Sequence, residues 1–162
     1  MSPCCLAART AASLKPEDEK VLEAVKTPED SGKLTFFQRA QLATAAAWSP
    51  NLNNPPLYLD LPVKDGVAQP DVLAKWAANA PLAFIDQYIG NLRRYRGIAI
   101  DVGDQDGLRV DTSKLHDVLE RYGIKHGFEV YSGTHTSKVA DRFQNHVMPF
   151  FSQTLCFQVG CQ

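Results

Sequence analysis

Two short apolar runs in the last third of the chain each end in residues able to move protons. Gly97-Ile98-Ala99-Ile100-Asp101-Val102-Gly103 leads into Asp104-Gln105-Asp106-Gly107, and Phe128-Glu129-Val130-Tyr131 leads into Ser132-Gly133-Thr134-His135-Thr136. A carboxylate in hydrogen-bonding reach of an imidazole holds one tautomer of the ring and stabilises the imidazolium formed when the ring takes a proton. Asp106 is the expected acid, because it lies on the loop where its side chain can turn towards His135, the expected base. Asp104 is the rival. Taken singly, either residue is more often structural than catalytic, since aspartates are common in turns after strands. The placement of both types at one sheet edge is what carries the reading.

Other chemistries find less in the chain. The aspartates around Gly107 do not make a calcium loop: aligning Gly107 with the loop glycine puts Val102 at the first ligand position and Ser113 at the last. Cys4, Cys5, Cys156 and Cys161 show no Cys-x-x-Cys or Cys/His metal spacing. They are expected to be buried or surface thiols of a reducing cytoplasm, with a bridge between the two ends as an open alternative that the spacing does not indicate. His116 and His126 have no acidic partner close in sequence and are expected at the surface, while His146 reads as solvated or packed. No cofactor and no metal is expected.

Placing Asp106 and His135 together requires a particular set of elements. Runs of apolar residues bounded by glycine read as buried strands. Between them, Asp111 to Tyr122 is an amphipathic helix, with Leu115, Val118 and Leu119 on one face and Gly123 as its stop. Thr136 to Phe151 is a closing helix. Strand, helix, strand, helix is a unit with parallel strands, and reactive groups gather beyond the carboxyl ends of such strands. Earlier in the chain, helices are expected from Lys15 to about Val25, from Thr35 to Trp48, from Asp71 to Asn79 and from Pro81 to Tyr95. Residues 49–70, with five prolines, read as irregular. Ser2 to Leu6 reads as the end of a buried strand. The fold class is therefore α/β, helix-rich, with a small parallel sheet of two to three strands and a helical lid-like insertion over residues 34–92.

Composition bounds the partners. The 162 residues suit one domain, and 44% hydrophobic with 22% charged residues is ordinary for a globular protein. The net charge of −1, with no basic block, lacks the footprint of a nucleic-acid or anionic-membrane binder. No segment approaches the ~20 consecutive apolar residues of a membrane-spanning helix. A small, largely neutral substrate fits this balance.

The stretch GIAIDVGDQDGLRVDTSKLHDVLERYGIKHGFEVYSGTHTSKVADRFQNHVMPFF, residues 97–151, resembles the C-terminal segment of the α/β-hydrolase family of esterase D-like enzymes, S-formylglutathione hydrolases, feruloyl esterases and mycolyltransferases. The shared features are a strand ending in GxxD, a helix, a strand ending in GxH and a final helix closing with PFF. The order acid then histidine is also that of α/β-hydrolases, where the serine comes first. The resemblance implies a carboxylic-ester hydrolase of the serine esterase type, with Asp106 as triad acid, His135 as general base and an ester as substrate. Trp48, Leu57 and Trp76 are then candidate walls of an acyl pocket, and equally candidates for core.

The chain departs from that family in one respect. The nucleophile elbow G-x-S-x-G is missing: Gly103 and Gly107 surround Gln105, and Gly123 and Gly127 surround Lys125. Ser132, Ser137, Ser2, Cys4 and Cys5 are the remaining nucleophile candidates, none of them compelling. Residues 1–162 are accordingly read as a single truncated α/β-hydrolase-like domain. The alternative is an inactive fragment that works as an interaction or assembly module. Parallel strands without the rest of their sheet expose unpaired backbone, so a homo-oligomer is expected.

Overall fold

The structure, a computed structural model, describes residues 16–157. Ser2 to Leu6, with Cys4 and Cys5, and Cys161 lie outside them. The chain divides into two compact units, Met1–Ile85 and Asp86–Gln162. The boundary falls inside the region read as a lid. Among the described residues, helices stand beside two sheets of two strands each. No helix among them is long and apolar enough to cross a membrane.

The first unit contains α1 (Pro16–Glu23), α2 (Pro28–Gly32), α3 (Phe36–Trp48), a hairpin of β1 (Val63–Lys64) and β2 (Val67–Ala68), α4 (Pro70–Ala78) and α5 (Pro81–Phe84). Local chemistry sets the helix starts. Thr27 with Asp30, and Thr35 with Gln38, form reciprocal capping boxes that satisfy otherwise orphaned N–H groups at α2 and α3. Ala45, Leu59, Val72 and Trp76 make the core, with Trp48, Leu57 and Leu42 packed against them. Trp76 packs edge-on to Trp48 at 5.7 Å. Its indole N–H donates to the buried hydroxyl of Ser49 at 2.9 Å, so the ring is enclosed with its polar atom satisfied.

The hairpin corrects the reading of residues 49–70 as irregular. Asp65 and Gly66 have φ of 52° and 73°. Both are left-handed, as a type I′ turn requires, and that turn matches the twist of paired strands. The Asp-Gly dipeptide was the available signal, and the surrounding prolines masked it. The carboxylate of buried Glu19 accepts the Gly66 N–H at 2.9 Å and ties the turn to α1.

The second unit contains α6 (Ile89–Leu92), β3 (Ala99–Gly103), α7 (Arg109–Arg121), β4 (Gly127–Tyr131), α8 (Val139–Arg142) and α9 (Met148–Thr154). The expected pair of strands forms and runs parallel, from Ala99 opposite Gly127 to Gly103 opposite Tyr131. α7 stops as expected at Gly123, whose φ is 64°. The N–H of Gly123 reaches the Glu120 carbonyl, and that of Ile124 the Leu119 carbonyl, closing a Schellman motif between buried Leu119 and Ile124.

Two helices differ from expectation. The run from Pro81 to Tyr95 breaks into α5, a 3₁₀ turn at Ile85–Tyr88 and α6, because Tyr88, with φ −112° and ψ 6°, leaves the helical region. The closing helix begins at Val139 rather than Thr136, since the Ser137 hydroxyl accepts the Thr134 N–H and holds the preceding residues in a turn. Between α8 and α9 the chain forms a π-helical turn, Phe143–Val147, with the Met148 N–H on the Phe143 carbonyl. Pro149 has no N–H to give the Asn145 carbonyl, so the helix widens just before it. Cys156 is disulfide-bonded, which corrects its reading as a free thiol.

Candidate active site

The site forms where the loops after β3 and β4 are sewn together at the carboxyl ends of the strands. The Asp104 N–H donates to the Tyr131 carbonyl at 2.8 Å, and the Gln105 N–H to the Gly133 carbonyl at 3.0 Å. Asp104 Oδ1 accepts the Gly133 N–H at 2.9 Å. Asp104, the rival for the acid, is therefore committed to joining the loops.

Asp106 and His135 meet, with Oδ2 and Nδ1 2.9 Å apart. The other carboxylate oxygen, Oδ1, accepts the Leu108 N–H at 2.8 Å. This Asx turn opens α7, so one carboxylate both starts the helix and faces the imidazole. An ionised carboxylate can only accept, which puts the ring proton on Nδ1 and leaves the lone pair on Nε2. The Asp106 side chain keeps 9% of its accessible surface, whereas that of His135 keeps 69%. Burial of the carboxyl works to raise its pKa, but the Leu108 N–H and then the His135 ring outweigh it, and the net direction is downward. Asp106 thus stays an anion, as a partner for an imidazolium must.

Gly103, which closes β3, is also where the two loops come closest. A Cβ there would overlap the carbonyl carbon and oxygen of Gly133. The clash is with backbone, which no rotamer change relieves. Gly103→Ala is expected to push the two loops apart and destabilise the protein by about 1–3 kcal/mol, as overpacking does. In the same variant the His135 ring should lose its Asp106 partner. Urea unfolding and the His135 imidazole NMR signals would test this, and a variant unchanged in both would refute it.

The other site candidates are placed as follows. Ser132 and Ser137 make no hydrogen bond with His135, and Ser137 Oγ serves Thr134. Ser2, Cys4 and Cys5 lie outside the described residues. Trp48, Leu57 and Trp76 belong to the core of the first unit. Leu57 also lines a cleft of about 530 Å³ there, with Leu22, Pro55, Leu59, Asp60 and Val72; neither tryptophan does.

No model of a known protein family matches the chain, and no curated protein matches it.

Proposed function

We propose that the chain is a carboxylic-ester hydrolase built on part of an α/β-hydrolase fold. His135 acts as general base through Nε2, and Asp106 holds and stabilises it. The observation that supports this most directly is the 2.9 Å bond between Asp106 and the ring nitrogen. It leaves the opposite nitrogen basic, on a ring open to solvent. A hydroxyl nucleophile or a water would give its proton to Nε2 as it attacks the ester carbonyl, and the imidazolium would return that proton to the leaving alkoxide. A small ester is the substrate class. The disulfide at Cys156 fits an oxidising compartment better than the reducing cytoplasm expected from the sequence. Hydrolysis of a short-chain p-nitrophenyl ester by purified protein tests the reading, and a rate no greater than that of buffer would defeat it.

A second reading, an inactive module that assembles with copies of itself, is favoured by the lack of a bond between His135 and Ser132 or Ser137. It also draws on the exposed apolar residues Val139, Phe143, Met148 and Phe151 of the closing helical segment. Gel filtration is expected to give a dimer or larger species on this reading; a clean monomer would count against it.

A further inference from the structure

The edge of the sheet opposite the Asp106–His135 pair carries a second cluster, where α7 ends and β4 begins. His116 and Glu120 stand one turn apart on α7, and His126 precedes β4. A ligand atom from each lies within 4.8 Å of the others. This corrects the expectation that His116 and His126 sit at the surface without an acidic partner. The His126 side chain keeps 0% of its accessible surface, and its Nδ1 lies 3.9 Å from the Glu120 carboxylate.

We propose that His116, Glu120 and His126 bind a divalent transition-metal ion, with Zn²⁺ the best fit, that pins the end of α7 to the start of β4. Three features of the geometry support this. First, His126 Nδ1 is 2.7 Å from the Ile124 carbonyl oxygen, which can only accept. The ring proton therefore sits on Nδ1 and the lone pair of Nε2 points away from that bond. Metal-ligating histidines are oriented by this kind of outer bond. Second, His116 Nδ1 lies 2.8 Å from that Nε2, so the two ring nitrogens face each other in a hydrogen bond that an ion would replace. The His116 ring is stacked on Phe128 of β4 at 4.3 Å and 11°, which sets its plane. Third, the Glu120 carboxylate keeps 64% of its surface and can swing in as a third ligand.

Without metal, the Nδ1–H of His116 donates to Nε2 of His126. On binding, the His116 proton moves to its own Nε2, and Nδ1 becomes a ligand with no net proton lost from the neutral ring. Tetrahedral Zn²⁺ with bonds of about 2.0–2.1 Å needs its nitrogens roughly 3.3 Å apart, so the rings must separate by about half an ångström. Two imidazoles and a carboxylate are a zinc donor set, and they disfavour Ca²⁺ and Mg²⁺, which take oxygen ligands. Copper and nickel would compete on affinity alone. The cluster lies at the start of β4, whereas Asp106 and His135 follow the strand ends. The ion is therefore assigned to holding the fold, and the assignment stands whether or not the protein hydrolyses esters.

The test is calorimetric titration of Zn²⁺ into the tag-free, chelator-stripped full chain. One ion per chain is expected. Because His126 is enclosed and its loss could unfold the protein, the informative variants are His116→Gln and Glu120→Gln, checked for folding by circular dichroism. Glu120→Gln should weaken binding at least about tenfold, and His116→Gln by more than the 10–100-fold lost with an outer-shell partner. His135→Ala and His146→Ala should bind as the parent does. Co²⁺ should give a visible absorption band in the parent that His116→Gln lacks. The assignment is overturned by a parent that takes up no ion, by unchanged binding in the two α7 variants, or by binding that disappears with His135 or His146.

Discussion

His135→Ala is expected to lower the hydrolysis of a short-chain p-nitrophenyl ester by about 10²–10⁴-fold, the contribution of a positioned general base. The fold should survive the change, since the ring is largely solvent-exposed and, among the described residues, is held through Asp106. Asp106→Asn should reproduce most of the loss by a different route. Its remaining carbonyl oxygen can still take the Leu108 N–H, so the Asx turn persists. Its amide, however, presents a donor to Nδ1, turns the ring to the other tautomer and removes the lone pair from Nε2. Parallel losses in the two variants, with unchanged unfolding midpoints, are the signature of a working pair. Activity that ignores both substitutions would remove the catalytic role from the site. Loss in His135→Ala alone would leave the base and dismiss the acid.

Arg142→Ala is expected to destabilise the second unit by about 3 kcal/mol, the lower end of what breaking an enclosed ion pair costs. Asp101 of β3 and Glu129 of β4 are direct register partners, so two carboxylates stand side by side on one face of the sheet. Arg142, with only 10% of its side chain exposed, resolves that repulsion. Its Nε donates to Asp101 Oδ2 at 2.7 Å, and its two terminal nitrogens take both oxygens of Glu129 at 3.0 and 2.6 Å. The guanidinium also lies 4.8 Å over the Tyr131 ring. Alanine would leave both acids facing each other across the strands; their partial exposure keeps the cost from being larger. Urea unfolding measures it, and a change below about 1 kcal/mol would mean the cluster behaves as an ordinary surface ion pair.

The pH dependence of that penalty has a defined sign. The Arg142 hydrogen bonds hold the Glu129 carboxyl below its usual pKa, against a smaller upward effect of burial. A group depressed on folding contributes stability above its unfolded pKa and loses that contribution as pH falls through the folded one. The difference between parent and Arg142→Ala should therefore be full near neutrality and shrink in acid below the ordinary carboxylate range.

Periodicity and punctuation in the chain predicted much of this architecture. Glycine-bounded apolar runs marked β3 and β4, a helical stripe ending at Gly123 marked α7, and their order required parallel strands. These are local signals, read within a few residues, and they were enough to bring an aspartate and a histidine to one edge. The contacts that distinguish Asp106 from Asp104 were not local. They follow from the register of Gly103 against Tyr131 and from the closeness that two glycines allow the loops. The same holds for Arg142 bridging Asp101 to Glu129, and for His116 meeting His126 beside Glu120. Each joins residues whose separation in sequence carries no periodicity, so only the packing of helix on strand could decide which side chains share a volume of space.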